Sequence, residues 1–263
     1  MSARSEPADE HRGAEPARAV KSADRTLDVL EELAQSSRAR SLVDLSRTLG
    51  IPKSSLHGLL RTLQRRGWVE ADATGLRFGL GVRAMQVAGS YLDHDRVLAV
   101  TREVMDLIVA DVGETVQLAR LDGDEIVYLA QRQARHPVRL ISSIGQRLPA
   151  HATALGKVLL SGLDTGELDR RLRFPLTALT ENTITERDAL YAELRRTALR
   201  GYAVDEQEAS LGLYCFAAAV PSLRSDPPTD AISVSVPSFR LSDELRRQVI
   251  ELLRERVGRL GHG

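Results

Sequence analysis

The stretch Pro52-Lys53-Ser54-Ser55-Leu56-His57-Gly58-Leu59-Leu60-Arg61-Thr62-Leu63-Gln64-Arg65-Arg66-Gly67-Trp68 has two faces. Leu56, Leu59, Leu60 and Leu63 recur at i, i+3, i+4 and i+7, the apolar stripe of a helix seated on a core. Pro52 suits the first helical turn, where its missing N–H costs nothing. Gly67 is placed to stop the helix just past Arg61, Arg65 and Arg66. The other face presents Lys53, Ser54, Ser55, His57, Gly58 and Arg61, groups suited to phosphates and base edges. One face for a core and one for DNA is the pattern of a recognition helix.

The flanking sequence supplies its setting. Leu42 to Leu49 reads as a second helix, with Ser41 as its cap and Leu42, Leu45 and Leu49 turned inward. Gly50-Ile51 makes a tight turn between the two. An earlier helix opens at Ser22-Ala23-Asp24-Arg25, with Ser22 or Asp24 as cap and Leu27, Leu30, Leu33 and Ala34 as its stripe. Together these predict a helix-turn-helix on a three-helix core. Beyond Trp68 the period changes to two. Val69-Glu70-Ala71 and Leu76-Arg77-Phe78-Gly79-Leu80 flank the turn-rich Asp72-Ala73-Thr74-Gly75, which predicts a hairpin. A hairpin there is a wing, and Arg77 is placed to reach the DNA backbone or minor groove.

Charge agrees locally but not globally. The 263 residues carry 36 basic and 36 acidic side chains, so the total favours no partner. Between Ser37 and Trp68, however, Arg38, Arg40, Arg47, Lys53, Arg61, Arg65 and Arg66 face a single acid, Asp44. That excess on one module is a footprint for phosphate. The length predicts two domains, and 43% hydrophobic residues suffice for their cores. Cys215 is the single cysteine, so no internal disulfide forms and a reducing compartment is expected. No apolar run approaches the ~18 residues of a membrane span. The first residues lack the order of a signal peptide. The expectation is a cytoplasmic protein with no membrane partner. Residues 1–19, rich in Ala, Glu, Arg and Pro, read as a disordered tail. Arg4, Arg12 and Arg18 within it are solvated charges before they are DNA contacts.

The remainder predicts an α+β domain of helices flanking a mainly antiparallel sheet. A linker helix runs from Val82 to about His94 with Met85, Val87, Ala88, Tyr91 and Leu92. Val97 to Val112 is a helix carrying Leu98, Val100, Val104, Leu107, Ile108 and Val112. Thr115 to Leu121 and Glu125 to Gln131 are strands joined through Asp122-Gly123, which sets Arg120 opposite Glu125. Further strands are expected at Val138 to Ser143, Tyr214 to Val220 and Ile232 to Val236, with Tyr202-Ala203-Val204 leading into Asp205. Asp226-Pro227-Pro228 marks a loop. Helices are expected at Ala152 to Ser161, at Thr185 to Arg200 behind a capping-box-like start, and at Leu241 to Leu260.

The chemistry-bearing residues of this half are Asp205, Cys215, Ser233 and Ser235, polar or soft groups among apolar strand residues. Ala150, Thr153 and Ala154 stand at a helix start, where backbone N–H groups favour an anion. Grouped, they make a small-ligand pocket. Singly, each has a plainer role: the serines bond within the sheet and Cys215 is a small buried hydrophobe. An enzyme reading would pair His151 with Cys215 as base and nucleophile. It finds no nucleophile elbow, no oxyanion signature and no acidic partner at a diagnostic spacing, so no catalytic residue is assigned. His151, Asp205 and Cys215 lack metal-ligand spacing, and neither metal nor cofactor is expected. Arg132, Arg135, His136 and Arg139 form a cationic patch, either solvated or steering an anionic effector.

In order along the chain, these motifs resemble those of IclR-type bacterial regulators. The resemblance rests first on Leu42-Val43-Asp44-Leu45-Ser46, Leu49-Gly50-Ile51-Pro52-Lys53-Ser54-Ser55-Leu56-His57-Gly58-Leu59-Leu60-Arg61-Thr62-Leu63, Gly67-Trp68-Val69 and Phe78-Gly79-Leu80-Gly81. It continues in Leu148-Pro149-Ala150-His151-Ala152-Thr153-Ala154-Leu155-Gly156-Lys157, in Arg200-Gly201-Tyr202-Ala203-Val204-Asp205-Glu206-Gln207-Glu208, and in Gly212-Leu213-Tyr214-Cys215-Phe216-Ala217-Ala218 with Ala231-Ile232-Ser233-Val234-Ser235-Val236-Pro237. It implies a winged helix-turn-helix over 20–81, a linker helix over 82–95 and a GAF-like effector-binding domain over 96–263. It further implies operator DNA as partner, a homodimer or dimer of dimers, and a small organic acid or related catabolite as effector. Repression of a catabolic operon is the expected output, with activation as the alternative. The positions matching the family's effector site are Ala150, Thr153, Ala154, Asp205, Cys215, Ser233 and Ser235. One departure stands out: the family usually has Arg after the His, and here Gly58 stands there. Gly within a helix costs ~1 kcal/mol relative to Ala.

Overall fold

A computed structural model describes residues 20–36, 38–133, 143–221 and 226–261. The expected tail, the expected strand at Val138 to Ser143 save its last residue, and Arg135, His136 and Arg139 lie outside them. The chain divides into two compact units, one ending at Tyr91 and one beginning at Leu92.

The first unit holds α1 (Lys21–Gln35), β1 (Arg40–Ser41), α2 (Leu42–Leu49), α3 (Lys53–Arg65), β2 (Val69–Ala71) and β3 (Arg77–Leu80), and α4 (Val82–Asp93) runs across the division. Its core is Val29, Leu33, Leu45, Ile51, Leu56, Leu60, Leu63, Val69 and Phe78. α2 begins as expected: the Ser41 hydroxyl accepts from the Asp44 N–H at 3.1 Å. Gly50 ends it at φ +63°, left-handed backbone that costs glycine little. Gly67 ends α3 in the same region, at φ +74°. The Trp68 N–H then donates back to the Leu63 carbonyl at 2.9 Å and satisfies one of the last orphan carbonyls.

α1 differs from expectation. Val20 precedes it and no side chain caps it. Leu27 is 56% exposed and Ala34 is exposed as well. The inward stripe is Thr26, Val29, Leu30 and Leu33, with Val29 and Leu33 buried and the other two half-buried: the same i, i+3, i+4, i+7 spacing in another register, hidden by the polar residue that opens it. The wing also gains a strand: the sheet order is β1-β3-β2, with Phe78 opposite both Arg40 and Ala71.

The second unit begins with α5 (Arg96–Val112), β4 (Thr115–Asp122), β5 (Glu125–Arg132), β6 (Arg147–Pro149), a 3-10 turn (Ala150–Ala152), α6 (Ala154–Leu160) and α7 (Thr165–Arg171). α8 (Arg187–Arg200), β7 (Ala203–Glu206), β8 (Leu213–Ala219), β9 (Asp230–Pro237) and α9 (Asp243–Leu252) follow. The strands form one sheet in the order β6-β5-β4-β9-β8-β7, antiparallel at every pairing. α6, α7 and α8 cover one face, around Leu155, Leu159, Leu168, Leu190 and Leu194. α5 and α9 cover the other, around Met105, Ile108, Phe216, Ile232 and Val249. This is the expected α+β arrangement.

Four local expectations are corrected. The inner face of α5 is Val97, Thr101, Met105 and Ile108, while Val100 and Leu107 are 43% and 45% exposed. In the β4–β5 hairpin Asp122 faces Glu125, so Arg120 stands opposite Val127 and not opposite Glu125. Glu125 binds Arg147 instead, at 2.6 Å. α8 starts at Arg187 with no side-chain cap from the residue before it. The helix expected from Ala152 starts at Ala154, capped by the Thr153 hydroxyl accepting from the Gly156 N–H at 2.9 Å. Gly156 is required there, because a Cβ would fall 2.1 Å from the Ala150 carbonyl oxygen.

Candidate functional site

The sorted faces of α3 are realised. Leu56, Leu60 and Leu63 are buried, while Lys53, Ser54, Ser55, His57, Gly58 and Arg61 are exposed together. A shallow concavity on this surface is lined by Gly58, Arg61, Thr62, Gln64 and Arg65. The Thr62 hydroxyl donates to the Gly58 carbonyl at 3.0 Å, so it is turned onto its own helix. Arg77 is exposed on β3, and its guanidinium donates to the Ala39 carbonyl at 3.2 Å, bracing the root of the wing.

The second unit contains a cavity of about 220 Å³. Of the seven residues expected around it, Thr153, Ala154, Asp205, Cys215 and Ser233 line it and Ala150 and Ser235 do not. Ala150 is fully buried, with its carbonyl against Gly156. Ser235 stands one layer back: its hydroxyl donates to the Gln117 side-chain oxygen at 2.8 Å and lies 3.2 Å from the Cys215 sulfur. Gln117, Tyr128, Gln146, Leu148, Leu155, Ala209, Ser210 and Leu213 complete the lining and were not anticipated. Gln117 left one signal, a polar residue between Val116 and Leu118 in an apolar strand.

Register explains the grouping. Asp205 on β7 faces Cys215 on β8, and Cys215 faces Ser235 on β9. On the neighbouring pair, Gln117 of β4 faces Ser233 of β9. Side chains paired in this way share a face of the sheet. The walls come from α6 and from the turn after β7.

Among the described residues no lysine or arginine lines the cavity. Asp205 is 1% exposed, and its Oδ1 accepts from the Glu208 and Ala209 N–H groups at 2.6 and 3.3 Å. Burial nevertheless pushes its carboxyl up to about 7, because the charged form is the one that loses hydration. Burial likewise raises the Cys215 thiol and the Tyr128 phenol, so both are neutral donors. Behind Asp205, the buried Lys157 ammonium pairs with Glu208. His151 is buried, bonded to the Thr177 carbonyl at 2.9 Å, and lowered in pKa by burial. With His151 off the cavity and the Cys215 thiol held protonated, the two make no nucleophile–base pair. Among the described residues no three His, Cys, Asp or Glu side chains are grouped to hold a metal ion, and no helix is long and apolar enough to cross a membrane.

One ion network joins the cavity strands to the start of α5. Arg120 faces Asp230 across β4–β9, three positions along each strand from the Gln117–Ser233 pair. Arg120 bonds Asp230 and Asp95, each at 2.7 Å. Asp95 in turn caps α5, accepting from the Val97 and Leu98 N–H groups at 2.9 and 3.2 Å. Burial pushes Asp95 up, but the Arg120 and backbone hydrogen bonds outweigh it and hold the carboxyl below its usual value.

Comparison with known proteins agrees with this geometry. Residues 22–73 match the IclR helix-turn-helix domain, and residues 89–260 match the bacterial transcriptional regulator IclR C-terminal domain. The chain is 34% identical over 228 residues to the transcriptional repressor IclR of Escherichia coli, covering 86% of this chain and 83% of that protein. The crystal structure of the IclR transcriptional regulator from Alicyclobacillus acidocaldarius superposes with a TM-score of 0.83 at 25% identity, covering 93% of this chain and 99% of the other. An IclR homologue from Microbacterium hydrocarbonoxydans, crystallised with 4-hydroxybenzoate, shares the fold with a TM-score of 0.76 at 23% identity, covering 92% and 98%.

Proposed function

We propose, from the premise that this chain belongs to the IclR family of bacterial transcriptional regulators, that it represses a catabolic operon by binding operator DNA through α3 and releases it in response to a small molecule. The observation that carries the reading is α3 itself. Its leucines are buried and its lysine, serines, histidine and arginine are presented together to solvent. Lys53, Ser54, Ser55, His57, Gly58 and Arg61 read or position the DNA, and Arg77 supports the wing against it. One such helix reads few base pairs, so two copies related by a two-fold axis read two half-sites. The DNA-binding part is 20–81, the linker 82–95 and the effector part 96–263.

The effector is a small organic acid or related catabolite held by Thr153, Ala154, Asp205, Cys215 and Ser233, with Gln117 and Tyr128 supplying further polar contacts. Ser235 and Ala150 support these groups from behind. An effector shifts DNA binding only if it favours one arrangement of the DNA-binding parts over another. The Arg120 network offers the mechanical link. It ties the strands that carry Gln117 and Ser233 to the cap of α5, immediately after the linker helix. With Cys215 protonated and His151 elsewhere, the second unit is a sensor and not an enzyme. The protein acts in the cytoplasm, where its DNA is.

A gel shift with the chain's own upstream intergenic DNA at physiological salt tests this. Wild type should retard that DNA at nanomolar concentration, and the Lys53→Ala/Arg61→Ala variant should bind about 100-fold more weakly. Equal binding by both proteins, or none by wild type, would sink the regulator reading.

A further inference from the structure

Gly58 costs the isolated protein stability and returns nothing to its fold. It lies within the 13-residue α3, where glycine is a poor helix former. A Cβ built on it would meet no atom within 4 Å, so no packing requires its absence. Its φ is not in the left-handed region, unlike that of Gly50 or Gly67, so no turn requires it either. What remains is something outside the chain that needs the space.

The surroundings define the shape of that space. Gly58 lines a concavity together with Arg61, Thr62, Gln64 and Arg65. Thr62 does not fill it, since its hydroxyl is turned onto the Gly58 carbonyl. Lys53, Ser54, Ser55, His57, Arg61 and Arg65 are exposed around it, so the notch sits in the middle of the polar and cationic face. Gly58 therefore offers bare Cα–H surface among groups that hold phosphates. Most base-edge features in the major groove are hydrogen-bond donors or acceptors; the bulky apolar one is the C5-methyl of thymine, where cytosine presents only a C5–H.

We propose that Gly58 is a specificity-determining position: its notch admits a thymine methyl against the backbone of α3. This rests on α3 being the DNA-reading helix. It follows that an A·T pair is selected at the position facing residue 58 in each half-site. An arginine there would fill the notch and instead address guanine O6 and N7.

In vitro selection from randomised duplexes tests this with full-length wild type, Gly58→Ala and Gly58→Arg. Affinities are then measured on the selected wild-type site, on the same site with uracil replacing thymine, and on shuffled DNA. Wild type should select A·T at one central position per half-site and bind the uracil site at least fivefold more weakly. Gly58→Ala should unfold at higher urea yet bind the selected site about tenfold more weakly, with binding to shuffled DNA unchanged. Gly58→Arg should select G·C at that position. The same selected sequence and affinity for all three proteins, or indifference to uracil, would overturn the assignment of Gly58 while leaving the regulator reading intact. Enrichment of no sequence by wild type would overturn both. Because Gly58→Ala is expected to fold better than wild type, lost binding cannot be assigned to misfolding.

Discussion

The outer face of α3 and the cavity of the second unit solve recognition in opposite ways. α3 holds its functional groups in water, among basic residues, on a helix whose stability comes from the leucines behind it. The cavity sets buried polar groups among apolar ones, with no lining cation among the described residues and a carboxyl that keeps its proton to about 7. A long-range field suits a polyanion with a charge at every step. A concave site of a few directed donors and acceptors suits one small molecule chosen by shape. The consequence is an asymmetry: side-chain truncations on the outer face of α3, Gly58 apart, should change binding and leave stability alone, whereas substitutions around the cavity should change both.

The sharpest stability effect should come from the Arg120 network. Arg120→Ala leaves Asp95 and Asp230 buried beside each other without their shared cation, which costs about 3–5 kcal/mol. Urea denaturation should show it, and hydrogen exchange should show the first turn of α5 opening once Asp95 loses its clamp. Next is Gly156→Ala, whose methyl has backbone 2.1 Å away. The 3-10 turn and α6 must separate, at about 3 kcal/mol.

Asp205→Asn acts in the opposite sense, raising stability, and its effect depends on pH. The folded value of about 7 lies above the ordinary 3.8, so the folded protein binds the proton more tightly than the unfolded chain. The resulting stability is fully present below about pH 4 and lost as pH rises through about 7. Asparagine imitates the protonated form. The variant should match wild type near pH 4 and exceed it by about 4 kcal/mol at pH 8.5, read as a difference in Tm at the two pH values. A constant difference across that range would show that Asp205 does not titrate as its burial implies. Smallest of all, Lys53→Ala/Arg61→Ala should move stability by no more than about 0.5 kcal/mol despite its large effect on DNA. A large loss of stability there would break the asymmetry.

The same contrast governs what could be read in advance. α2 and α3 were legible because stripe, cap and stop are all local: Ser41, Leu45, Gly50, Leu56, Leu60 and Gly67 lie within 27 consecutive residues. α1 was legible as a helix but not in its facing, since Thr26 opens the inward stripe. β1, two residues long, has no period to detect. In the cavity, Asp205, Cys215 and Ser233 were found as polar residues in apolar strands and through resemblance. Gln117 and Tyr128 were not, because they reach the cavity only through the sheet order that sets β4 against β9. The Arg120–Asp230 pair has the same origin: 110 residues separate two side chains that touch. The expected Arg120–Glu125 pair failed because the hairpin turns at Gly123-Asp124, one residue later than assumed, and a one-residue slip changes every cross-strand partner.

The central claim is that α3 reads sequence, and a salt series tests it most directly. Full-length protein is titrated against its own upstream intergenic DNA and against a shuffled duplex of the same composition. Both affinities should fall with salt, the upstream site staying at least about 1,000-fold tighter at physiological salt. Equal affinity for the two duplexes at every salt concentration would contradict it and mark the basic face of α3 as a sequence-indifferent phosphate binder.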